Sequence, residues 1–254
     1  MSNVSISTNK LCIGYRVQST EYRVQTDLDF ALQQGEMVCM LGPNGCGKST
    51  LLRTLAGLQP ALSGEYRIQN TEHSPEKSVA LVLTERLSMD NTTVHDVVAM
   101  GRYPYTSFLG GLSTEDEHII AEALQSVGFE MSKSRDVKVS TTMFNAHSDG
   151  EKQRILIAKA LAQQTPIILL DEPTAHLDLP HRILILRLLR RLAHEQGKTV
   201  LISTHELDLA LALSDRILLM TLKKGILLDT AENLRQADAF TQAFGMDIFN
   251  PLSE

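Results

Sequence analysis

The sequence predicts an α/β fold with a mostly parallel core sheet, an antiparallel β segment near the N-terminus and an inserted helical segment. Short apolar runs at 79–83, 167–170 and 200–203 are typical of parallel strands buried on both faces. Segments 4–12 and 24–32 instead alternate apolar and polar residues, as half-buried antiparallel strands do. Helical spacing of apolar residues between the runs supports the α/β class.

The first core unit is predicted as strand, loop and helix. Residues 37–41 form a continuous apolar run that leads directly into a glycine-rich segment. Residues 49–58 then have helical apolar spacing, and Gly57 is suited to end the helix.

Residues 86–160 are predicted to form an inserted helical subdomain. The stretches 94–100, 114–127 and 153–163 have helical patterns, and no strand of comparable quality lies between them. Since there is no internal repeat or low-complexity linker, we interpret residues 1–254 as a single domain. If the function needs two copies of a site, the second copy is then expected to come from another chain.

Composition narrows the function classes. The 254 residues are 43% hydrophobic, but no apolar stretch approaches the roughly 20 residues that span a bilayer. The first residues also lack the apolar segment of a signal peptide. We therefore expect a cytoplasmic chain. The odd number of cysteines, three, predicts reduced thiols. A net charge of −6 shows no excess of basic residues for contact with a phosphate backbone, so nucleic acid is not expected as a partner.

The glycine-rich segment has the pattern G-x-x-x-x-G-K-[ST] between the predicted strand and helix, which predicts a P-loop NTPase. Its backbone N–H groups and the start of the helix suit a phosphate. Lys48 would contact the β- and γ-phosphates of ATP, and Ser49 would bind Mg²⁺. The alternative is an ordinary glycine turn. The segment consists of Gly42, Pro43, Asn44, Gly45, Cys46, Gly47, Lys48, Ser49 and Thr50.

A pair of carboxylates follows the apolar run 167–170. The end of such a strand lies at the carboxyl edge of the sheet, where open α/β folds bind ligands. Asp171 is predicted to orient the metal, and Glu172 to act as the general base for an attacking water. The alternative is a pair of solvated acids that cap a helix.

With these motifs in this order, and with Ser-Asp-Gly-Glu at 148–151 and Thr-His at 204–205, the chain resembles ABC-transporter ATPases from about residue 4 to about residue 229. The resemblance implies a homodimer that encloses two ATP molecules. Ser148, Gly150 and Glu151 would face the γ-phosphate of the nucleotide on the partner. A helix N-cap is an equally open role for Ser148.

The resemblance also assigns three further residues. Asp178 matches the loop that connects the two sites of the dimer, although it also suits a helix N-cap. His205 matches the histidine that contacts the γ-phosphate and holds Glu172 and the water, so that Glu172, His205 and Lys48 form the catalytic set. Tyr15 matches the aromatic residue that stacks on adenine, with a purely structural role as its alternative.

Three positions depart from the family pattern. Thr84 aligns with a glutamine that contacts Mg²⁺, and either a looser contact or substitution by Glu85 is left open. His147 stands where leucine is usual, and Asp149 replaces a glycine. Since a carboxylate near a γ-phosphate would repel it, we expect Asp149 to point away.

Residues 93–104 and 174–180 are similar to those of importers of iron chelates, haem and cobalamin. The resemblance implies a groove that receives a helix from separate membrane permease subunits, at the cytoplasmic face of the cell membrane, with a substrate-binding protein as an indirect partner. A soluble ABC ATPase, another cargo or export, and a P-loop kinase for a small molecule are the alternatives.

Overall fold

The computed structural model describes residues 3–68, 78–83, 89–106, 111–129, 141–222, 225–246 and 249. The strands in these ranges are β1 (Val4–Val17), β2 (Thr20–Leu28), β3 (Ala31–Gln33), β4 (Met37–Leu41), β5 (Ser63–Ile68), β6 (Val79–Val82), β7 (Ile167–Asp171), β8 (Thr199–Ser203), β9 (Arg216–Met220) and β10 (Ile226–Asp229). The helices are α1 (Lys48–Leu55), α2 (Val94–Ala99), α3 (Thr114–Ser126), α4 (Asp149–Ala162), α5 (Leu179–Gln196), α6 (Leu207–Leu213), α7 (Ala231–Gln236) and α8 (Ala239–Phe244). Short 3₁₀ helices lie at Met100–Tyr105 and Phe144–Ala146.

The core is a six-stranded sheet with the order β10-β9-β4-β8-β7-β6. All its neighbouring strands are parallel except β9 and β10, which form an antiparallel pair. The loops after β4, β8 and β7 therefore leave the same edge of the sheet side by side. This is the edge where the phosphate loop, His205 and Glu172 lie.

Strand β4 shows why the core strands are continuous apolar runs. Its five residues are all buried, and they divide alternately between two hydrophobic clusters. Val38 and Met40 pack with α1 and the antiparallel sheet, whereas Met37, Cys39 and Leu41 pack with the helical layer on the other face. Since both faces are covered, no position along the strand favours a polar residue.

The antiparallel sheet is built around the long strand β1, which pairs with β2, β3 and β5. The prediction of one strand over 24–32 is wrong: β2 ends at Leu28, and β3 begins only at Ala31. Between these two strands the chain passes from the part of β1 that pairs with β2 to the part that pairs with β3. The backbone N–H of Thr8 donates to the carbonyl of Phe30 at 3.0 Å, and this contact holds the crossing.

Helices α2, α3 and α4, which follow β6 and precede β7 in the chain, form a helical layer. A buried ion pair holds this layer together. Arg102 Nε donates to Asp116 Oδ1 at 2.7 Å, and Arg102 Nη1 donates to the carbonyl of Ala162 at 2.8 Å. Helix α4 begins at Asp149, earlier than the predicted 153, because Ser148 and Glu151 cap its first turn. The predicted fold class is confirmed, and the limits of a single domain over 1–254 stay a prediction.

The three cysteines, Cys12, Cys39 and Cys46, are free and buried. Burial raises the pKa of Cys39 to about 12, and it also raises the pKa of Cys46. Among the helices described, none is both long enough and apolar enough to cross a membrane.

Candidate active site

The phosphate loop connects β4 to α1 and bends at glycines with positive φ. Gly42 has a φ of 153°, and a β-carbon there would meet the carbonyl oxygen of Met220 at 2.5 Å. At Gly47, with a φ of 103°, a β-carbon would meet Cγ1 of Val24 at 2.6 Å. These two positions require glycine for both conformation and space.

The start of α1 is suited to an anion. Among the residues described, no side chain caps its N-terminus at Gly47, and no acidic residue lies in its first turn. The N–H groups of that turn and the helix dipole are therefore available to a phosphate. The residues present fit the triphosphate that the sequence predicts for this loop.

Two side chains of α1 face the loop and the antiparallel sheet. The buried Lys48 Nζ donates to the carbonyls of Gly42 at 2.7 Å and Pro43 at 3.2 Å, so its charge is held inside the curve of the loop. Tyr15 on β1 shares a hydrogen bond of 2.7 Å with the hydroxyl of Thr50. Tyr15, which is 45% exposed, thus lies beside the start of the phosphate-loop helix.

Gln25 on β2 supports the loop from below, and its side chain is fully buried. Its Nε2 donates to the carbonyls of Cys46 at 2.9 Å and Thr221 at 2.7 Å. Its Oε1 accepts from the N–H of Gly225 at 3.0 Å. One amide thereby fixes the phosphate loop to Thr221, which follows β9, and Gly225, which precedes β10, and nothing in the local sequence indicates this role.

Ser203, the last residue of β8, places both carboxylates at the end of β7. Its hydroxyl donates to Asp171 Oδ1 at 2.5 Å and accepts from the N–H of Glu172 at 2.9 Å. The same N–H also reaches the carbonyl of Ser203 at 3.1 Å. Asp171 is buried, so its charge depends on such partners.

Glu172 is held in a strained backbone conformation. Its φ of 47° lies in the left-handed region, which costs a non-glycine residue about 1 kcal/mol or more. Its carboxylate is in contact with Nε2 of His205, the residue that follows β8 and Thr204. The structure therefore brings these two predicted catalytic side chains into contact at the sheet edge.

The loop after Glu172 is connected to the segment that contains His205. Arg182 on α5 donates from Nε to the carbonyl of Leu177 at 2.6 Å, and its Nη1 pairs with Glu206. Asp178 is the N-cap of α5 and accepts from the N–H of His181 at 3.2 Å. The predicted capping role of Asp178 is thus present in the chain itself.

The start of α4 contains the second group of predicted residues. Ser148 is its N-cap, and its hydroxyl accepts from the N–H of Glu151 at 3.4 Å. Glu151 Oε2 accepts in return from Ser148 N at 3.0 Å and Ser148 Oγ at 2.9 Å, which completes a capping box. These two bonds, with the backbone N–H first, lower the pKa of Glu151.

The two unusual residues of this segment differ in their surroundings. His147 lies with Nε2 2.8 Å from the hydroxyl of Thr142 and Nδ1 3.5 Å from Glu151. The side chain of Asp149 is 64% exposed, and its carboxylate lies 3.9 Å from Nζ of Lys152. His147 is therefore part of the cap of α4, whereas Asp149 faces solvent.

Comparison with known proteins agrees with this geometry. A family model described as ABC transporter matches residues 25–175. The chain belongs to the ABC transporter family. This ABC ATPase is 36% identical to the iron(3+)-hydroxamate import ATP-binding protein of Bacillus subtilis, with 96% of this chain and 88% of the relative covered. It is 32% identical to the ferric enterobactin transport ATP-binding protein of Escherichia coli, with 93% and 86% covered.

Solved structures show the same cassette. A chain of an inward-facing ABC transporter of metal-chelate type superposes with a TM-score of 0.82 at 29% identity, over 96% of this ABC ATPase and 90% of that chain. A dimeric bacterial ABC transporter cassette superposes with a TM-score of 0.72 at 25% identity, over 89% and 98%. That cassette is also known in a dimeric post-hydrolysis state with ADP and phosphate bound. The family membership establishes this chain as an ATP-binding, ATP-hydrolysing enzyme.

Within this ABC ATPase, the predicted residues form two groups. The phosphate loop, Asp171, Glu172 and His205 meet at the carboxyl edge of the core sheet, whereas Ser148, Gly150 and Glu151 lie at the start of α4. Thr84 and Glu85 lie outside the described residues, so the predicted metal contact of Thr84 stays a prediction. Sequence reasoning did not identify Gln25, Ser203 and Arg182, because each acts on residues that are distant in sequence.

Proposed function

We propose that Glu172 is the general base of this ABC ATPase and activates the water that attacks the γ-phosphate. The observation that carries this assignment is the placement of Glu172: its N–H is bonded twice to Ser203, its backbone is strained, and its carboxylate is paired with His205. A carboxylate fixed in this way at the sheet edge costs little to reorganise when a water is deprotonated. In this role, His205 keeps Glu172 and the water aligned.

The phosphate loop is the proposed site of MgATP. Lys48 would move from the loop carbonyls to the β- and γ-phosphates, a change that exchanges neutral acceptors for charged ones. Ser49 and the buried Asp171 would hold Mg²⁺ together with phosphate oxygens, and Thr84 would contribute if it reaches the metal. Mg²⁺ would neutralise charge that develops on the phosphates. Tyr15, beside α1, would stack on adenine.

The second group of residues is proposed to act on the nucleotide of a partner in a homodimer. Ser148, Gly150 and Glu151 lie at the start of the 14-residue helix α4, whose dipole favours an anion. N-capping and anion binding use the same groups, so Ser148 would exchange its bonds to Glu151 for bonds to the partner's nucleotide. Asp178, exposed at the start of α5, would meet the partner beside them.

The transport system is proposed to be an importer of iron chelates, haem or cobalamin. Support comes from relatives named as hydroxamate, siderophore, enterobactin and cobalamin import or transport proteins. Separate permease subunits would dock on the helical layer, where Tyr103 is 62% exposed beside the buried Arg102. The ABC ATPase would work at the cytoplasmic face of the cell membrane, served indirectly by a substrate-binding protein and without nucleic acid.

Replacing Glu172 by glutamine tests the catalytic assignment. The amide keeps the shape of the side chain but cannot accept a proton, so ATP hydrolysis without any acceptor molecule should fall at least about 100-fold. ATP binding should be retained. The rate of phosphate release and the ATP affinity of the full-length protein measure the two quantities.

Glu195→Gln is the matched control, because Glu195 is exposed on α5 and should be neutral in both assays. Hydrolysis by Glu172→Gln at the wild-type rate would reject the general base. Turnover that requires a small-molecule acceptor would instead favour a kinase.

Purification of the full chain with its native partners tests the transport system. We expect a permease and a substrate-binding protein to accompany it, and purified vesicles to accumulate an iron chelate, haem or cobalamin when ATP is supplied. Recovery with ribosomes or DNA-repair proteins would contradict the importer. Movement of the cargo in the opposite direction would contradict import alone.

A further inference from the structure

The first turn of α5 packs directly against the start of α4. His181, the third residue of α5, covers Gly150, and Gly150 is buried beneath it. A β-carbon at position 150 would lie 2.7 Å from Cδ2 of His181 and 3.1 Å from Cγ. Real side chains do not approach so closely, so any larger residue at position 150 would force the imidazole of His181 to shift.

The same imidazole is tied to Asp178. Asp178 Oδ1 accepts from the backbone N–H of His181 at 3.2 Å and is also in hydrogen-bond contact with ring Nδ1. Because an ionised carboxylate only accepts, Nδ1 carries the proton, and Nε2 is an acceptor in the neutral ring. The hydrogen bond from His181 is the main reason that the pKa of Asp178 is lowered.

One side chain therefore joins two segments that are separated by 28 positions in the sequence. We propose that His181 is a positioning residue that holds Gly150 and Asp178 together, so that both face the partner subunit's nucleotide in one arrangement. This inference rests on the proposed function, in which the start of α4 contacts that nucleotide. A shift of Asp178 on dimer closure would then move the N–H of Gly150 with it.

The neighbouring residue supplies a contrast. Arg182 contacts Leu177 and Glu206, and through Glu206 it supports the segment of His205. Substitution of Arg182 should therefore affect the half-site that contains Glu172. Substitution of His181 should instead affect the contacts that this chain makes with the nucleotide bound to its partner.

Three substitutions separate the two contacts of His181. His181→Phe keeps a ring over Gly150 but loses the bond to Asp178. His181→Asn keeps an amide N–H near the position of Nδ1 but loses most of the ring, and His181→Ala loses both contacts. Each is combined with Glu172→Gln in the full-length protein, and ATP-dependent dimer formation is followed by sedimentation.

His181→Ala should weaken ATP-dependent dimerisation about tenfold, the effect of losing one charge-assisted hydrogen bond. The Phe and Asn variants should fall between Ala and His. In the background with Glu172 intact, kcat should fall while the ATP affinity of the monomer stays within about twofold. Arg182→Lys should instead lower kcat with little change in dimerisation.

A double substitution tests the contact itself without relying on the reaction. Gly150→Ala should lower the melting temperature strongly when His181 is present, because the new methyl group meets the ring. In the Gly150→Ala/His181→Ala protein much of that loss should disappear, which is a non-additive result. Additive effects would overturn the packing on which the proposal depends.

The outcomes distinguish a failure of the proposed two-chain site from a failure of the role of His181. If Glu172→Gln alone forms no ATP-dependent dimer, the proposed two-chain site is wrong and the role of His181 falls with it. If those dimers form but none of the three substitutions at position 181 weakens them, the role of His181 alone is wrong. A loss of monomer ATP affinity equal to the loss of dimerisation would show a merely structural role and would also overturn it.

Discussion

The two groups of site residues are built in opposite ways. At the sheet edge, Asp171 and Glu172 are held by the buried Ser203, and the phosphate loop is held by the buried Gln25. At the start of α4, Ser148 is exposed and Glu151 is half-buried, and the two satisfy each other through a capping box. The first group is organised by the tertiary core, and the second by its own helix, so only the second can exchange its partners cheaply when another chain arrives.

This difference agrees with the sequence pattern. The phosphate loop and the carboxylate pair match the family pattern, while His147 and Asp149 depart from it, as does Thr84, which lies outside the described residues. A buried network tolerates few substitutions because each lost partner leaves an unsatisfied group. Several residue types can cap a helix at an exposed position, so substitutions at the start of α4 reduce stability less.

The largest effect is expected where the helical layer is fixed. In Asp116→Asn, the buried Arg102 loses its charged partner, and the free energy of unfolding should fall by about 3 kcal/mol. Asp96→Asn is the matched control: Asp96 forms an equivalent capping box with Thr93 on α2 but has an exposed side chain, and it should cost about 1 kcal/mol. Chemical denaturation measures both values, and equal losses would contradict the role of the ion pair.

Acid should remove the same stabilisation. The hydroxyl of Ser113, then its N–H, and then Arg102 lower the pKa of Asp116 to about 2 from its ordinary 3.8. A lowered carboxyl pKa stabilises the folded state fully above about pH 4, and this contribution is lost as the pH falls toward 2. The difference in stability between the native sequence and Asp116→Asn should therefore narrow over that interval.

An intermediate effect is expected at the sheet edge. Ser203→Ala removes the hydroxyl that bonds Asp171 and the N–H of Glu172, so kcat should fall at least about tenfold through misplacement of the base. ATP affinity should change much less. Ser214→Ala is the control, because its hydroxyl bonds the helix carbonyl of Ala210 and the buried Cys39 thiol, and neither belongs to the carboxylate pair. Unchanged kcat in Ser203→Ala would show that Ser203 does not preorganise the sheet edge.

The smallest effect is expected at Asp149. Its carboxylate faces solvent near Lys152, so Asp149→Gly should change kcat by less than about twofold. Steady-state hydrolysis by the full-length protein measures this. A large gain in kcat would mean that the carboxylate turns toward the partner's γ-phosphate in the dimer, and the start of α4 would then be more constrained than its exposure indicates.

Parts of the fold were predictable because their signals are local. Strand β4 has the predicted limits, and α1 ends beside Gly57 as expected. A run of five buried apolar residues and a glycine that ends a helix can both be recognised from the local sequence. The division of 24–32 into β2 and β3 was not predictable, because the pairing of both with β1 decides it. Strand β5 was not assigned, since none of its residues is buried.

The sequence by itself determined the chemistry: a phosphate loop, two carboxylates after a buried strand, a histidine after another, and a serine-capped helix. These are local motifs whose residue types follow from what phosphate, metal and water require. Only the tertiary structure decided how they are held, through Gln25 under the loop, Ser203 bonded to the Asp171 carboxylate and the N–H of Glu172, and His181 over Gly150. Such contacts join residues that are distant in the chain, and their geometry exists only once the sheet and the helical layer have packed.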